Sequence, residues 1–188
     1  MTRRLAAWLL SILALPALAA WDLTQLMADL ARTPSGRARF VETKYLSLLD
    51  RPLVSRGEMS FTNPDRLEKK TLTPRPETML LDKDRLTIER DQRRLSINLA
   101  DQPPALVFVD SIRGALTGNR LALEKNYALH LAGQRENWTL TLLPSEPAIA
   151  TLVQRITISG QGNRIRSIEY LQADGDRALI QIDPLSDP

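Results

Sequence analysis

Apolar and polar positions alternate over most of this chain. From Arg37 to Leu46 the alternation sets Phe40, Glu42 and Lys44 against Val41, Thr43 and Tyr45. Leu53 to Phe61 follows, with Leu53, Met59 and Phe61 on one face. Thr62-Asn63-Pro64-Asp65 then turns the chain, because proline fixes φ and Asn and Asp side chains stabilise tight turns. Arg66 to Thr73 is a charged alternating run, ended by Pro74 and Pro76, which cannot donate to a ladder. Thr78 to Leu81 and Arg85 to Glu89 are short runs joined by a tight connection at Asp82-Lys83-Asp84, with Leu86 and Ile88 on one face of the second. Arg94 to Leu99 adds one more. Together they predict an antiparallel meander with one wet and one apolar face.

Two stretches switch to the helical period. In Asp22 to Arg32, Leu23, Leu26, Met27 and Leu30 fall at i, i+3, i+4 and i+7. Asp22 suits the N-cap and Arg32 the last turn. Ala105 to Leu116 carries a stripe of Leu106, Val109, Ile112 and Leu116, between Pro103-Pro104 and Gly118-Asn119. Each stripe either packs on a core or lids an open sheet. Period two returns from Arg120 to Leu131, where Leu121, Leu123, Tyr127, Leu129 and Leu131 share a face, and Gly133 to Asn137 turns. Trp138, Leu140 and Leu142 share a face of the next strand, which Pro144 ends. Ser145 to Leu152 is a loop with room for a helical turn. Strands around Ile156 and Ile158, from Arg164 to Leu171 and from Arg177 to Ile182 complete the pattern, the last two joined by the hairpin signal Ala173-Asp174-Gly175-Asp176. The sum is roughly ten strands and two helices. A sheet that long curls, closes or splits. Two helices are too few to cover both of its faces, so a curled antiparallel sheet with helices on one side is the economical architecture.

The N-terminus changes the compartment. Arg3 and Arg4 precede an apolar run, Leu5 to Leu15, too short for the ~30 Å bilayer core. Ala17-Leu18-Ala19 is a small-residue cleavage site, so residues 1–19 read as a signal peptide and residues 20–188 as one exported, periplasmic domain. Losing Arg3 and Arg4 takes the net charge from +3 to +1. No long Lys/Arg run remains to suggest a nucleic-acid partner. There is no cysteine, hence no disulfide and no acylated cysteine of a bacterial lipoprotein. Chemistry is scarce. His130 is the single histidine, placed on the wetter face of its alternation. Clustered zinc ligands and a G-x-S-x-G elbow are both missing. Asp82, Asp84, Asp174 and Asp176 have a structural role at turns. No catalytic residue, metal or cofactor is expected. What remains is apolar surface with few aromatics, 5% of the chain. Leu and Ile with Met59 and Met79 either form plain core or line a face that adapts to greasy ligands.

The order of signal, helix and strand, followed by G-x-x-x-F-x-x-P (Gly57-Glu58-Met59-Ser60-Phe61-Thr62-Asn63-Pro64), resembles the LolA-type periplasmic lipoprotein carriers. Pro52-Leu53-Val54-Ser55-Arg56-Gly57, Leu116-Thr117-Gly118-Asn119, Trp138 to Pro144 and Asp174-Gly175-Asp176 look closer to a divergent LolA-like subfamily of lipid-handling proteins. The resemblance spans nearly the whole mature chain. It implies a mainly β fold, a half-open antiparallel β-barrel with an α-helical lid. It implies a soluble monomeric carrier that shields acyl chains of a lipid or lipoprotein, from an inner-membrane donor toward an outer-membrane acceptor. Hiding such chains removes a cost of about 0.8 kcal/mol per exposed CH₂. On this basis Phe40, Met59, Phe61, Met79, Leu86, Ile88, Leu140 and Leu142 are candidates for the acyl cavity, and Leu26, Leu30, Val109 and Ile112 for the lid. In the main carrier an arginine precedes the motif proline and locks the lid; here the residue is Asn63, too short for a guanidinium fork. The alternative is a lipid-sensing or protein-interaction module of the cell envelope.

Overall fold

Residues 21–185, the part described by this computed structural model, form eleven strands and four α-helices. The expected signal peptide, residues 1–19, lies outside the described residues. After α1 (Leu23–Ala31), six strands run as a meander: β1 (Ser35–Tyr45), β2 (Leu53–Thr62), β3 (Arg66–Thr73), β4 (Glu77–Asp82), β5 (Arg85–Arg90) and β6 (Arg93–Asn98). The chain then crosses through α2 (Pro103–Thr117) and α3 (Arg120–Glu124). It meanders back through β7 (Tyr127–Gln134), β8 (Asn137–Pro144), the short α4 (Pro147–Ala150), β9 (Val153–Gln161), β10 (Arg164–Gln172) and β11 (Arg177–Pro184). All neighbours are antiparallel, in the order β6-β5-β4-β3-β2-β1-β11-β10-β9-β8-β7, so β6 and β7 are free edges and the barrel stays open. Pairing of β1 with β11, from Ala38↔Pro184 to Tyr45↔Arg177, joins the two meanders.

The helices form where local chemistry prescribes. Asp22 caps α1, accepting from the Gln25 amide at 2.9 Å while the Gln25 side chain accepts from the Asp22 amide, a capping box. Proline starts α2, where a missing N–H costs nothing. Gly118 ends it at φ +64, and the Asn119 amide returns to the Gly114 carbonyl at 2.8 Å. A Cβ on Gly118 would lie 2.1 Å from the Met27 carbonyl oxygen, so this glycine also sets how closely α1 and α2 cross.

One expected strand is corrected. Arg120 to Leu131 begins as helix, not as strand: Arg120–Glu124 is α3 and only Tyr127–Gln134 is β7. Asn119 caps α3 through the Ala122 amide at 3.1 Å, and Arg120 pairs with Glu124 one turn on at 2.7 Å. Leu123 is buried while Leu121 is 81% exposed, which an alternating strand face would forbid. Three apolar-polar alternations fit one helical turn as well as a strand, and the cap decided.

Register places one long row of side chains after another on the concave face. Leu131, Leu140, Ile158, Ile168 and Ile180 stand side by side across β7, β8, β9, β10 and β11. Phe61, Leu67, Leu81 and Leu86 do the same across β2, β3, β4 and β5. The core proper sits over the first set. Leu26 and Leu30 of α1, Ala115 of α2 and Leu123 of α3 pack there with Trp138, Leu140, Leu142, Ile156 and Ile158. Trp138 lies flat on Gly160, where a Cβ would come 2.4 Å from the ring, and donates through Nε1 to the Gly162 carbonyl at 2.9 Å.

Candidate functional site

The helices cover the β7–β10 half of the concave face and leave the rest uncovered. Between that uncovered wall and α2 lies a cavity of about 420 Å³, within the ~300–1,000 Å³ range of ligand sites. Met59, Phe61, Met79, Leu81 and Leu86 line one side, Ile165, Ile168, Ile180 and Ile182 another. Leu30 of α1 and Phe108, Val109, Ile112 and Leu116 of α2 form the cover. That β4 and β5 share a cavity with β10 and α2 requires the sheet to curl on itself.

Of the residues singled out from sequence, Met59, Phe61, Met79 and Leu86 line this cavity, as do Leu30, Val109 and Ile112 of the cover. Ile88 stands beside Met79 on the same face but does not reach the lining. Phe40 is 2% exposed, covered by the Lys69 ammonium 4.9 Å above its ring. Leu140, Leu142 and Leu26 differ from the cavity and lid placement given them above: Leu140 and Leu142 are sealed in the closed core beneath α1, and Leu26, on α1 itself, is buried in that core, all at 0% exposure. Alternation assigned Leu140 and Leu142 the right face, but the helices close that half of it.

Sequence reasoning missed the polar residues of the wall. Glu42 is 3% exposed. Its carboxylate accepts from Lys69 Nζ at 2.6 Å and from Ser55 Oγ at 3.2 Å, and Lys44 Nζ stands 3.7 Å away. Burial opposes ionisation of Glu42, but Lys69, Lys44 and Ser55 together hold its carboxyl below the usual range. Burial and the Glu42 carboxylate push the neighbouring Tyr170 hydroxyl above its usual range. The signal was present in the Phe40, Glu42, Lys44 alternation, which put two charges on the face of a buried phenylalanine.

A carboxyl held low in the folded state stabilises it above the unfolded value, about 4.5 here, and that contribution is lost as pH falls through the lower folded value. Glu42→Gln is therefore expected to cost about 2 kcal/mol at neutral pH. This is less than the ~3–5 kcal/mol of a fully buried pair, because Lys69 can turn toward water. Chemical denaturation from pH 7 downward checks this: the gap between wild type and variant should close below pH 4.5. A gap that stays constant with pH would refute the ion pair.

The motif glycine has a steric reason. A Cβ on Gly57 would lie 1.9 Å from the Lys70 carbonyl oxygen and 3.0 Å from the Phe40 ring, at an irregularity in the β2–β3 pairing. Asn63 is exposed and its amide donates to the Pro34 carbonyl at 2.8 Å. The helices are tied elsewhere. Asp29 of α1, 6% exposed, takes a two-pronged contact from Arg135 at 2.8 and 3.2 Å. Arg113 of α2 donates to the Lys83 carbonyl in the β4–β5 turn at 2.6 Å. No group of metal-ligating side chains occurs among the described residues.

An open antiparallel sheet curled about an apolar cavity, with helices laid over its mouth, is the architecture of a lipid-carrier-like fold. The chain belongs to the family described as outer membrane lipoprotein carrier protein LolA-like, whose model matches residues 15–182. No curated protein matches the sequence. Among solved structures it is similar to the LolA superfamily protein NE2245 from Nitrosomonas europaea, at 12% identity and TM-score 0.46, covering 88% of this chain and 93% of that one. It is similar to a Pseudomonas aeruginosa MucA/MucB complex structure at 14% identity and TM-score 0.48, covering 89% of this chain and 59% of that one. A DUF1329 family protein from Desulfovibrio piger stands at 11% identity and TM-score 0.45, covering 86% and 89%. At these similarities none of them transfers a ligand or partner to this chain.

Proposed function

We propose that this protein is a soluble periplasmic carrier. It shields acyl chains of a lipid or lipoprotein in the cavity while they pass from an inner-membrane donor toward an outer-membrane acceptor. The observation that carries this is the 420 Å³ cavity with walls of Met, Leu, Ile and Phe beneath a helical cover. Apolar surface left uncovered by its own chain is costly in water unless something else covers it. Met59 and Met79 give the wall side chains that adapt to differing chains. No helix among the described residues is long and apolar enough to cross a membrane. His130 is exposed on β7 and does not line the cavity. Met59, Phe61, Met79 and Leu86 are assigned to the acyl chain, and Leu30, Val109 and Ile112 to the lid.

Delipidated mature protein is expected to bind N-phenyl-1-naphthylamine with a rise in fluorescence, and long-chain lipids should displace it. Organic extracts of protein purified from the periplasm should contain the cargo by mass spectrometry. Folded, delipidated protein that takes up neither probe nor lipid would end the carrier hypothesis.

A further inference from the structure

We infer that the Lys44–Glu42–Lys69 cluster seats the headgroup of the cargo, and that the cargo is an amphiphile ending in a single negative charge, a long-chain carboxylate. This rests on the carrier function proposed above and names its ligand class. The cluster interrupts an apolar surface. The row Leu131, Leu140, Ile158, Ile168, Ile180 continues across β11 to β1, where the next residue is Glu42 and the one after it Ser55. A buried ion pair is seldom worth more to stability than apolar side chains of the same volume. Five apolar neighbours in one row show what that volume would otherwise hold.

Charge balance points to an anion. Two ammonium groups face one carboxylate. Lys69 is committed to Glu42 at 2.6 Å, whereas Lys44 stands 3.7 Å from it, beyond hydrogen-bond length, with 43% of its side chain exposed. Glu68, the other acid on the wall, is paired with Lys70 at 3.2 Å. One positive charge thus remains at the Glu42 end of the cavity, which a monoanion balances, while Arg37 and Arg164 line the cavity toward its Gly36 end. A lipoprotein's acyl chains, joined through neutral esters and an amide, bring no such charge. The cavity also has the right length. Its lining on β1 runs from Gly36 to Lys44, roughly 26 Å at ~3.3 Å per residue. With its carboxylate at Lys44, a chain would extend toward the Phe61, Leu67, Leu81, Leu86 row at the other end.

The test is competition for the apolar probe on delipidated mature protein at pH about 8, where carboxylates are ionised. Hexadecanoate is expected to displace the probe at a concentration about tenfold or more below that of hexadecanol, the range of a hydrogen bond to a charged group. Lys44→Met should bring hexadecanoate to the level of hexadecanol. Arg155→Met, on the opposite face of the sheet, should alter neither. Thermal unfolding verifies that both variants are folded. Equal displacement by the two ligands in wild type, or a preference that survives Lys44→Met, overturns the inference while leaving the carrier function standing. Stronger displacement by hexadecyl phosphate overturns the assignment to a carboxylate. If no ligand of any kind displaces the probe, it is the carrier function that fails.

Discussion

Leu140→Glu will unfold the protein, whereas Leu86→Glu will leave it folded and unable to hold an apolar ligand. The two leucines sit on the same face of the same sheet, and sequence alternation cannot separate them. Leu140 is 0% exposed, between Leu131 and Ile158 in its row and beneath α1. Removing a buried leucine side chain already costs about 2–5 kcal/mol. An unpaired carboxylate in its place adds several more, against a typical total stability of ~5–15 kcal/mol. Leu86 is half-buried and lines the cavity. Water entering the empty cavity can solvate a glutamate there, so the fold should lose about 1 kcal/mol, as at a partly exposed site. Ligand entry would then have to strip that water, lowering probe affinity by roughly a hundredfold, about 2–3 kcal/mol. Thermal unfolding and probe titration on both variants decide it. A stably folded Leu140→Glu would mean that the β7–β10 half opens, and wild-type affinity in Leu86→Glu would mean that the ligand never reaches the β5 wall.

Arg113→Ala is expected to release the cover from the rim and speed ligand exchange about 10- to 100-fold. Arg113 reaches from α2 to the β4–β5 turn, donating to the Lys83 carbonyl at 2.6 Å, with Asp110 at 2.8 Å and Asp84 at 3.6 Å. The same turn receives the Leu99 amide on the Asp84 carbonyl at 2.7 Å, so it anchors the chain entering α2 as well as α2 itself. Hydrogen bonds from a charged donor contribute about 1.5–3 kcal/mol, which sets both the expected stability loss and the exchange factor. Arg113→Lys should not rescue, since an ammonium cannot span a carbonyl and two carboxylates as a planar fork does. Stopped-flow displacement of the probe and amide exchange along α2 provide the readouts. Exchange at the wild-type rate would show that α2 is not the moving part. In this chain the cover is tied through Arg113, and α1 through Asp29 and Arg135.

What the amino-acid sequence determined by itself is local. Period-two alternation, capping at Asp22, the proline start and glycine stop of α2 and the hairpin at Asp174-Gly175 each act within a few residues. Steric and hydrogen-bonding preferences at that range do not depend on the rest of the chain. They were sufficient for a mainly β, curled antiparallel sheet with helices on one side. They were ambiguous at Arg120–Glu124, where a run too short to show its period became helix. Tertiary structure alone decided what covers each part of the apolar face. Two residues of equal pattern, Met59 and Leu142, became cavity wall and sealed core because α1, α2 and α3 come to rest over β7 to β10 and not over β2 to β5. It alone assembled Glu42, Ser55, Lys69 and Tyr170, from four strands, into one charged end of an apolar cavity. Alternation states which side chains share a face. Which of them meet water, ligand or helix is set by contacts between segments far apart in the chain, and those contacts exist only once the sheet has curled.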